Sequence, residues 1–247
     1  MELTRDAFLG GRLSIWQPKS GYRAGVDPVF LAAFVRAKSG QSVLELGCGV
    51  GVASLALQAR VTDLDLTGLE LQADYADLAR RNADGNELPM QVITGDLARM
   101  PDELRARQFD HVIANPPYYL RGGTVATDAG REAAVAENTP LSQWVDAGIR
   151  RLKPGGCLSF VQAAERLPDL LATFDGRVGR VEVLPLTPRS GRPATLILVR
   201  AVKGARSPFR LLAPVIVHEG ERHTHDGESY TVLIGDILRN GAGFPEG

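Results

Sequence analysis

Long apolar runs are missing from this 247-residue chain. Stretches such as 29–35 and 196–199 fall far short of the roughly 18 residues a membrane span requires, so no transmembrane helix is expected. Cysteine is nearly absent: Cys48 and Cys157 each sit beside a glycine in an apolar stretch, which excludes a disulfide framework and suits reduced, packed thiols. A charge excess is also lacking, since 28 basic against 29 acidic side chains leave a net −1 and no global signature of a polyanion partner. The first dozen residues mix both signs and have no apolar h-region, so no secretory signal is expected and the cytoplasm is the expected location. What is present is ordinary for a globular protein. An apolar fraction of 44% and a charged fraction of 23% exclude a disordered or collagen-like chain, and the length suits one domain with a substantial core.

Charge is nevertheless unevenly spread. Between Arg177 and Arg210 lie eight basic residues (Arg177, Arg180, Arg189, Arg192, Arg200, Lys203, Arg206, Arg210) and a single acid, Glu182, where a polyanion could dock. From about residue 40 to 200, short β-type runs alternate with longer helical stretches, which predicts βαβ units, a mostly parallel sheet and helices on both faces: an α/β class. Strands are expected at 42–46, 66–71, 91–94, 109–114, 157–161, 181–184 and 194–199, the last two forming a hairpin at the sheet edge. Helices are expected at 28–35, 52–60, 73–86, 141–152 and 165–174. Residues 1–40 are too few for a separate domain and read as a cap on a main domain of 41–247, with 204–247 as its C-terminal extension. Residues 120–138 form a loop longer than a connection needs, a candidate lid.

The first strand runs into Glu45-x-Gly47-x-Gly49-x-Gly51 and then a helix, the place where a doubly wound sheet holds a nucleotide or nucleoside. Spacing narrows the ligand. A dinucleotide loop needs G-x-G-x-x-G, but Val52 occupies that third position, and no Gly-Lys-Ser/Thr follows to make a phosphate loop. Glu70, at the end of the second strand, can accept hydrogen bonds from two ribose hydroxyls, and Asp96, after the third, can border the adenine. This constellation resembles the class I S-adenosylmethionine-dependent methyltransferases over residues 42–200. The resemblance implies a Rossmann-like fold with a seven-stranded, mostly parallel sheet and a reversed last strand. It also implies S-adenosyl-L-methionine as cofactor, with the glycines against its methionine part, Glu70 on the ribose and Asp96 on the adenine.

The fourth strand ends in Asn115-Pro116-Pro117-Tyr118, where prolines force the chain out of the sheet. An exocyclic aromatic amine is a poor nucleophile because its lone pair is delocalised into the ring. The Asn115 side-chain oxygen and the Pro116 carbonyl can accept its two hydrogens and aim that lone pair at a sulfonium methyl. Tyr118 offers a flat face for the target base, a contact worth about 1–3 kcal/mol. No strong base is required, since the alkylated ammonium sheds its proton readily.

The tetrad resembles that of methyltransferases acting on adenine N6, guanine N2 or a protein glutamine amide. Gln17-Pro18-Lys19-x-Gly21-Tyr22-Arg23, the run Gly25-Val26-Asp27-Pro28, and Ser229-Tyr230-Thr231 before the apolar stretch 234–238 are similar to the bacterial tRNA (adenine-N6)-methyltransferases that modify the adenosine beside the anticodon of a valine tRNA. That resemblance implies a tRNA partner, with Asn115, Pro116 and Tyr118 catalytic, Tyr118 and Tyr119 on the base, and Lys19, Arg23 and Arg121 on phosphates. The enzyme is expected to act as a monomer, without a metal. His218, His223 and His225 lie in a Gly- and Glu-rich turn that lacks cysteine or helix-spaced histidines, so a hairpin tip is expected there. An rRNA guanine or a protein glutamine is the alternative substrate. A nucleoside-binding, RNA-docking protein without turnover is the alternative class. Ser/His/Asp hydrolysis lacks its G-x-S-x-G elbow.

Overall fold

The computed structural model describes residues 1–118, 139–220 and 229–245. Its centre is a run of parallel strands separated by helices: β3 (Ser42–Leu46), α2 (Val52–Arg60), β4 (Asp65–Glu70), α3 (Ala73–Gly85), β5 (Gln91–Thr94), α4 (Asp102–Arg105), β6 (Phe109–Ala114), α5 (Leu141–Arg151) and β7 (Leu152–Ala163). Then follow α6 (Leu167–Ala172), β8 (Val178–Thr187) and β9 (Leu196–Lys203). Neighbouring residues in these strands point to opposite faces, and both faces are buried. Val43, Ile113, Leu184 and Leu198 join a core under α1 (Asp27–Phe34) and α2, while Leu44, Val112, Val183 and Val199 join a second core under α5 and α6. Burial on both faces explains why the strands read as continuous apolar runs rather than as alternating ones.

Three local expectations are corrected. The sheet has nine strands, not seven, because β10 (Arg210–Leu211) and β11 (Val215–Ile216), both from the C-terminal extension, add in parallel along β8. The last two long strands pair antiparallel as the expected hairpin, with β9 lying between β7 and β8 and antiparallel to both, so the order of the long strands runs β8-β9-β7-β6-β3-β4-β5 and only the short β10 and β11 lie outside it. β7 begins at Leu152, before Pro154-Gly155-Gly156, since a register shift between Phe109 and His111 on β6 lets those residues bulge out of the ladder. Residues 1–40 contain more than the expected helix: β1 (Leu3–Phe8) and β2 (Leu13–Pro18) form an antiparallel hairpin ahead of α1. The expected lid at 120–138 lies outside the described residues, as do His223 and His225.

The hairpin is bolted to the end of α3 by two asparagines: Asn86 Oδ1 accepts from Ser14 N at 2.8 Å and its Nδ2 donates to Ser14 O at 2.9 Å, and Asn82 grips Trp16 in the same way. Asn82 of α3 is fully buried; its Oδ1 accepts from Trp16 N (2.8 Å) and its Nδ2 donates to Trp16 O (3.1 Å) and Val50 O (3.0 Å). A buried amide with every polar atom satisfied rigidifies what it joins. Here it joins the N-terminal hairpin to the glycine loop that follows β3. Near the C-terminus, α7 (Val232–Asn240) contains the expected apolar stretch and inserts Ile234 and Ile237 into the first core.

Within the basic run between 177 and 210, two arginines are buried and several others are tied into internal contacts. Arg200 is buried against Glu182, directly opposite it in the β8–β9 register, and Arg210 reaches the same carboxylate at 3.0 Å. Arg189 is buried and donates to the carbonyls of Glu219 and Gly220, Lys203 to that of Leu152, and Arg177 pairs with Asp146 and Asp175. Arg177, Arg180, Arg192, Arg206 and Arg210 are exposed.

Candidate active site

Because β3, β4, β5 and β6 are parallel, their carboxyl ends lie on one sheet edge, and the residues that follow them meet there. Gly47, Gly49 and Gly51 leave β3, Glu70 ends β4, Asp96 follows β5 and Asn115 follows β6.

The glycine loop needs its glycines for space as well as for backbone. At Gly47, φ is +63°, and a Cβ would lie 2.6 Å from Cη2 of Trp144 on α5. At Gly49, φ is +54°, and the amide donates to Glu70 Oε2 at 2.8 Å. Glu70 Oε1 accepts from Gln72 N at 2.9 Å, so this carboxylate ties the loop to the end of β4 while keeping further lone pairs for a ligand. Gly51 is the residue from which α2 starts. Cys48 between the glycines is buried against Gly68, in the packing role expected of it.

Glu45 turns inward from β3. Ser54 N (3.0 Å) and Ser54 Oγ (2.5 Å) both donate to its Oε2, which leaves Oε1 without a protein partner among the described residues. Burial pushes its carboxyl up to about 8, opposed by the Ser54 bonds and assisted by Glu70. Burial raises Glu70 as well, against the hydrogen bonds from Gln72 and Gly49. Two desolvated acids beside a loop that lacks a Cβ at Gly47, Gly49 and Gly51 fit a nucleoside-bearing cation: the glycines offer room, and Oε1 of Glu45 offers an unspent acceptor.

A pH dependence follows. The folded state holds a proton on Glu45 up to about pH 8, whereas an unfolded glutamate releases it near 4.5. This group's contribution to stability is therefore complete below pH 4.5 and lost as pH rises towards 8. Denaturation midpoints of the wild type minus those of Glu45→Gln, taken at steps from pH 5 to 8.5, should fall steadily; parallel curves would show that Glu45 is ionised throughout.

Asp96 is half exposed and accepts from Ala98 N at 2.8 Å, capping the turn after β5. Asn115 is half buried, and its Nδ2 donates to the hydroxyl of Tyr22 at 3.4 Å. Its Oδ1 is left as the acceptor required of it. Pro116 is buried; its carbonyl accepts a long bond from Gln162 Nε2 (3.4 Å) on β7 and keeps a second lone pair. Tyr118 is half buried, and its hydroxyl donates to Asp27 Oδ2 at 2.7 Å while its carbonyl accepts from Arg166 at 3.4 Å. Tyr119 and Arg121 lie outside the described residues.

Lys19 and Arg23 are engaged at the open end of the hairpin rather than at the tetrad. Lys19 pairs with Glu2 at 2.6 Å, and Arg23 clasps Asp6 (2.5 Å), Thr4 (2.8 Å) and the Pro18 carbonyl (2.6 Å). Two residues of this segment that carried no assigned role in the sequence, Tyr22 and Asp27, make the side-chain contacts to the tetrad. Tyr22 is 52% exposed overall, yet its ring passes Gly49 and its hydroxyl end is crowded by Glu45, Asp27 and Glu70; burial raises that hydroxyl above the ordinary tyrosine range. The available signal was the flanking pattern 17–28, which marks the segment but not its target.

Residues 25–184 match the family model of the methyltransferase small domain. The chain is similar to the tRNA1(Val) (adenine(37)-N6)-methyltransferase of Porphyromonas gingivalis, with 28% identity over 195 residues covering 73% of this chain and 76% of that protein. A protein of the same name from Tolumonas auensis is 26% identical over 210 residues, 81% of this chain and 85% of its own. A solved structure from Agrobacterium tumefaciens, described as a predicted O-methyltransferase, protein Atu636, aligns with a TM-score of 0.71 at 27% identity, over 88% of this chain and 98% of that one.

Proposed function

The chain belongs to the methyltransferase small domain family, and on that premise we propose that it transfers the methyl group of S-adenosylmethionine to the exocyclic N6 of adenine 37 in tRNA1(Val), the reaction named for its curated relatives. The observation that carries the reading is the placement of Asn115-Pro116-Pro117-Tyr118 on the same sheet edge as the glycine loop and Glu70. The donor supplies an electrophilic methyl on a sulfonium. Glu70 receives the ribose, Asp96 borders the adenine, and the glycine loop with Oε1 of Glu45 faces the methionine part.

At the acceptor side, Asn115 Oδ1 and the Pro116 carbonyl take the two amine hydrogens and turn the nitrogen lone pair towards the methyl. Tyr22 supports this by holding Nδ2 of Asn115, so that the oxygen and not the amide nitrogen faces the base. The new N–C bond forms as the S–C bond breaks, and the methylated nitrogen then releases its proton to water. Positioning supplies most of the rate.

A hydroxyl acceptor, the chemistry in the description of the A. tumefaciens structure, would need a base to take its proton during attack. Among the described residues the one carboxyl bonded to the tetrad, Asp27, is engaged by Tyr118. Two acceptors in a row suit the two hydrogens of an amine. Incubation with labelled donor and bulk tRNA from a strain lacking the enzyme should give N6-methyladenosine; label in guanosine, or in protein glutamine, would overturn the assignment.

A further inference from the structure

Asp27 is the second residue of the run Val26-Asp27-Pro28 and the first of α1, a place where a carboxylate ordinarily accepts from the helix's own free amides. It does not do so here: the helix start has no side-chain cap, and the Asp27 carboxylate is spent on the Tyr118 hydroxyl, 91 residues away in sequence, at 2.7 Å. It also has no salt bridge among the described residues. A half-buried carboxylate that forgoes its local cap and lacks a cation is costly to keep. Burial raises its pKa, and the bond from Tyr118 is what opposes that rise.

Tyr118 needs such an anchor more than its neighbours do. Pro116 and Pro117 have fixed φ, and the Pro116 carbonyl is braced by the buried Gln162. The Tyr118 ring, by contrast, turns about two side-chain torsions, and among the described residues its carbonyl is braced by a long bond from Arg166. A ring that must present one face to a base loses its value if it rotates, because stacking depends on the plane being set before the base arrives. The hydroxyl bond to Asp27 removes that rotation.

We propose that Asp27 is a positioning residue for substrate recognition: by holding the Tyr118 hydroxyl it sets the plane of the ring on which the target adenine of the RNA stacks. The consequence for RNA capture rests on the function proposed above. The holding of the ring does not.

The experiment therefore has two arms, read on the full-length protein. In the first, 3-fluorotyrosine is incorporated and the Tyr118 resonance is identified by its loss in Tyr118→Phe; no RNA is present. Asp27→Ala should shift and broaden that resonance, and Asp27→Asn, whose side-chain oxygen still accepts, should restore most of it. An unchanged spectrum in Asp27→Ala overturns the proposal whatever the substrate proves to be. In the second arm, steady-state methylation of tRNA is compared. Asp27→Ala should raise KM for tRNA by about tenfold, within the range of a lost base–aromatic stack, with kcat reduced less than threefold and donor affinity unchanged.

Tyr118→Phe should reproduce that KM, and the double variant should be no worse than either single one, since both break the same bond. A kcat loss without a KM change, additive losses, or no recovery in Asp27→Asn would each refute the positioning role. A wild type that methylates no tRNA would instead remove the proposed function, and the fluorine arm would still decide whether Asp27 holds the ring.

Discussion

Replacing Asn115 by alanine should lower kcat by about 10²–10³-fold, the cost of removing one preorganised polar group aimed at the reacting atoms, while leaving the affinity for S-adenosylmethionine within about twofold. The asymmetry follows from where Asn115 stands. It follows β6, two strands away from Glu70, and is half buried with one long bond to Tyr22, so its removal disturbs neither the glycine loop nor the core. Folding stability should change by less than about 1 kcal/mol. Asn115→Asp keeps an acceptor at the same place but gives up the donor that Tyr22 receives, and it should retain more rate than alanine. Single-turnover methylation with labelled donor, beside calorimetric titration of the donor, separates the two quantities. A rate within tenfold of wild type for Asn115→Ala would show that the amine is not activated by that oxygen.

The places of the glycine loop, Glu70, Asp96 and the tetrad were readable in the sequence because each is set by local chemistry at a strand end: glycines where the backbone takes positive φ, acids just where strands stop, prolines where the chain leaves the sheet. Their convergence required only that β3, β4, β5 and β6 be parallel, which the alternation of strand and helix implies. Contacts made across long sequence separations were not readable. Asp27 and Tyr22 reach Tyr118 and Asn115 only because α1 and the segment before it fold over the carboxyl edge. The insertion of β9 between β7 and β8 is a choice of strand order, and nothing in 181–184 or 196–199 distinguishes a central strand from an edge one. The same limit applies to which charges are buried. Arg200 looks like a surface arginine in the sequence and is buried, because the β8–β9 register sets it opposite Glu182. The hairpin was missed because half of Leu3–Phe8 is polar and it alternates weakly, and its anchors, Asn82 and Asn86, lie far along the chain.

Glu70→Gln should weaken donor binding by about 10–100-fold, since hydrogen bonds to a charged group are each worth roughly 1.5–3 kcal/mol. The substitution is isosteric, which confines its effect to hydrogen-bond polarity. Both carboxylate oxygens already accept from backbone, Oε2 from Gly49 at 2.8 Å and Oε1 from Gln72 at 2.9 Å. An amide has one oxygen, so its NH₂ must face one of those two N–H groups, and the loop or the following turn has to shift. The ribose then meets a donor where it had an acceptor. Because the ribose is common to the donor and to its demethylated product, both dissociation constants should rise in parallel, whereas a change at the methyl group would separate them. At saturating donor, kcat should stay within about threefold of wild type, as the lost contact is the same in the ground state and the transition state. Isothermal titration with both ligands, followed by turnover at saturation, tests this. If the two constants do not move, Glu70 holds only the loop; if kcat collapses at saturation, the tie between Gly49 and Glu70 sets the geometry of methyl transfer, and the division of the site into a donor-binding half and an acceptor-activating half is wrong.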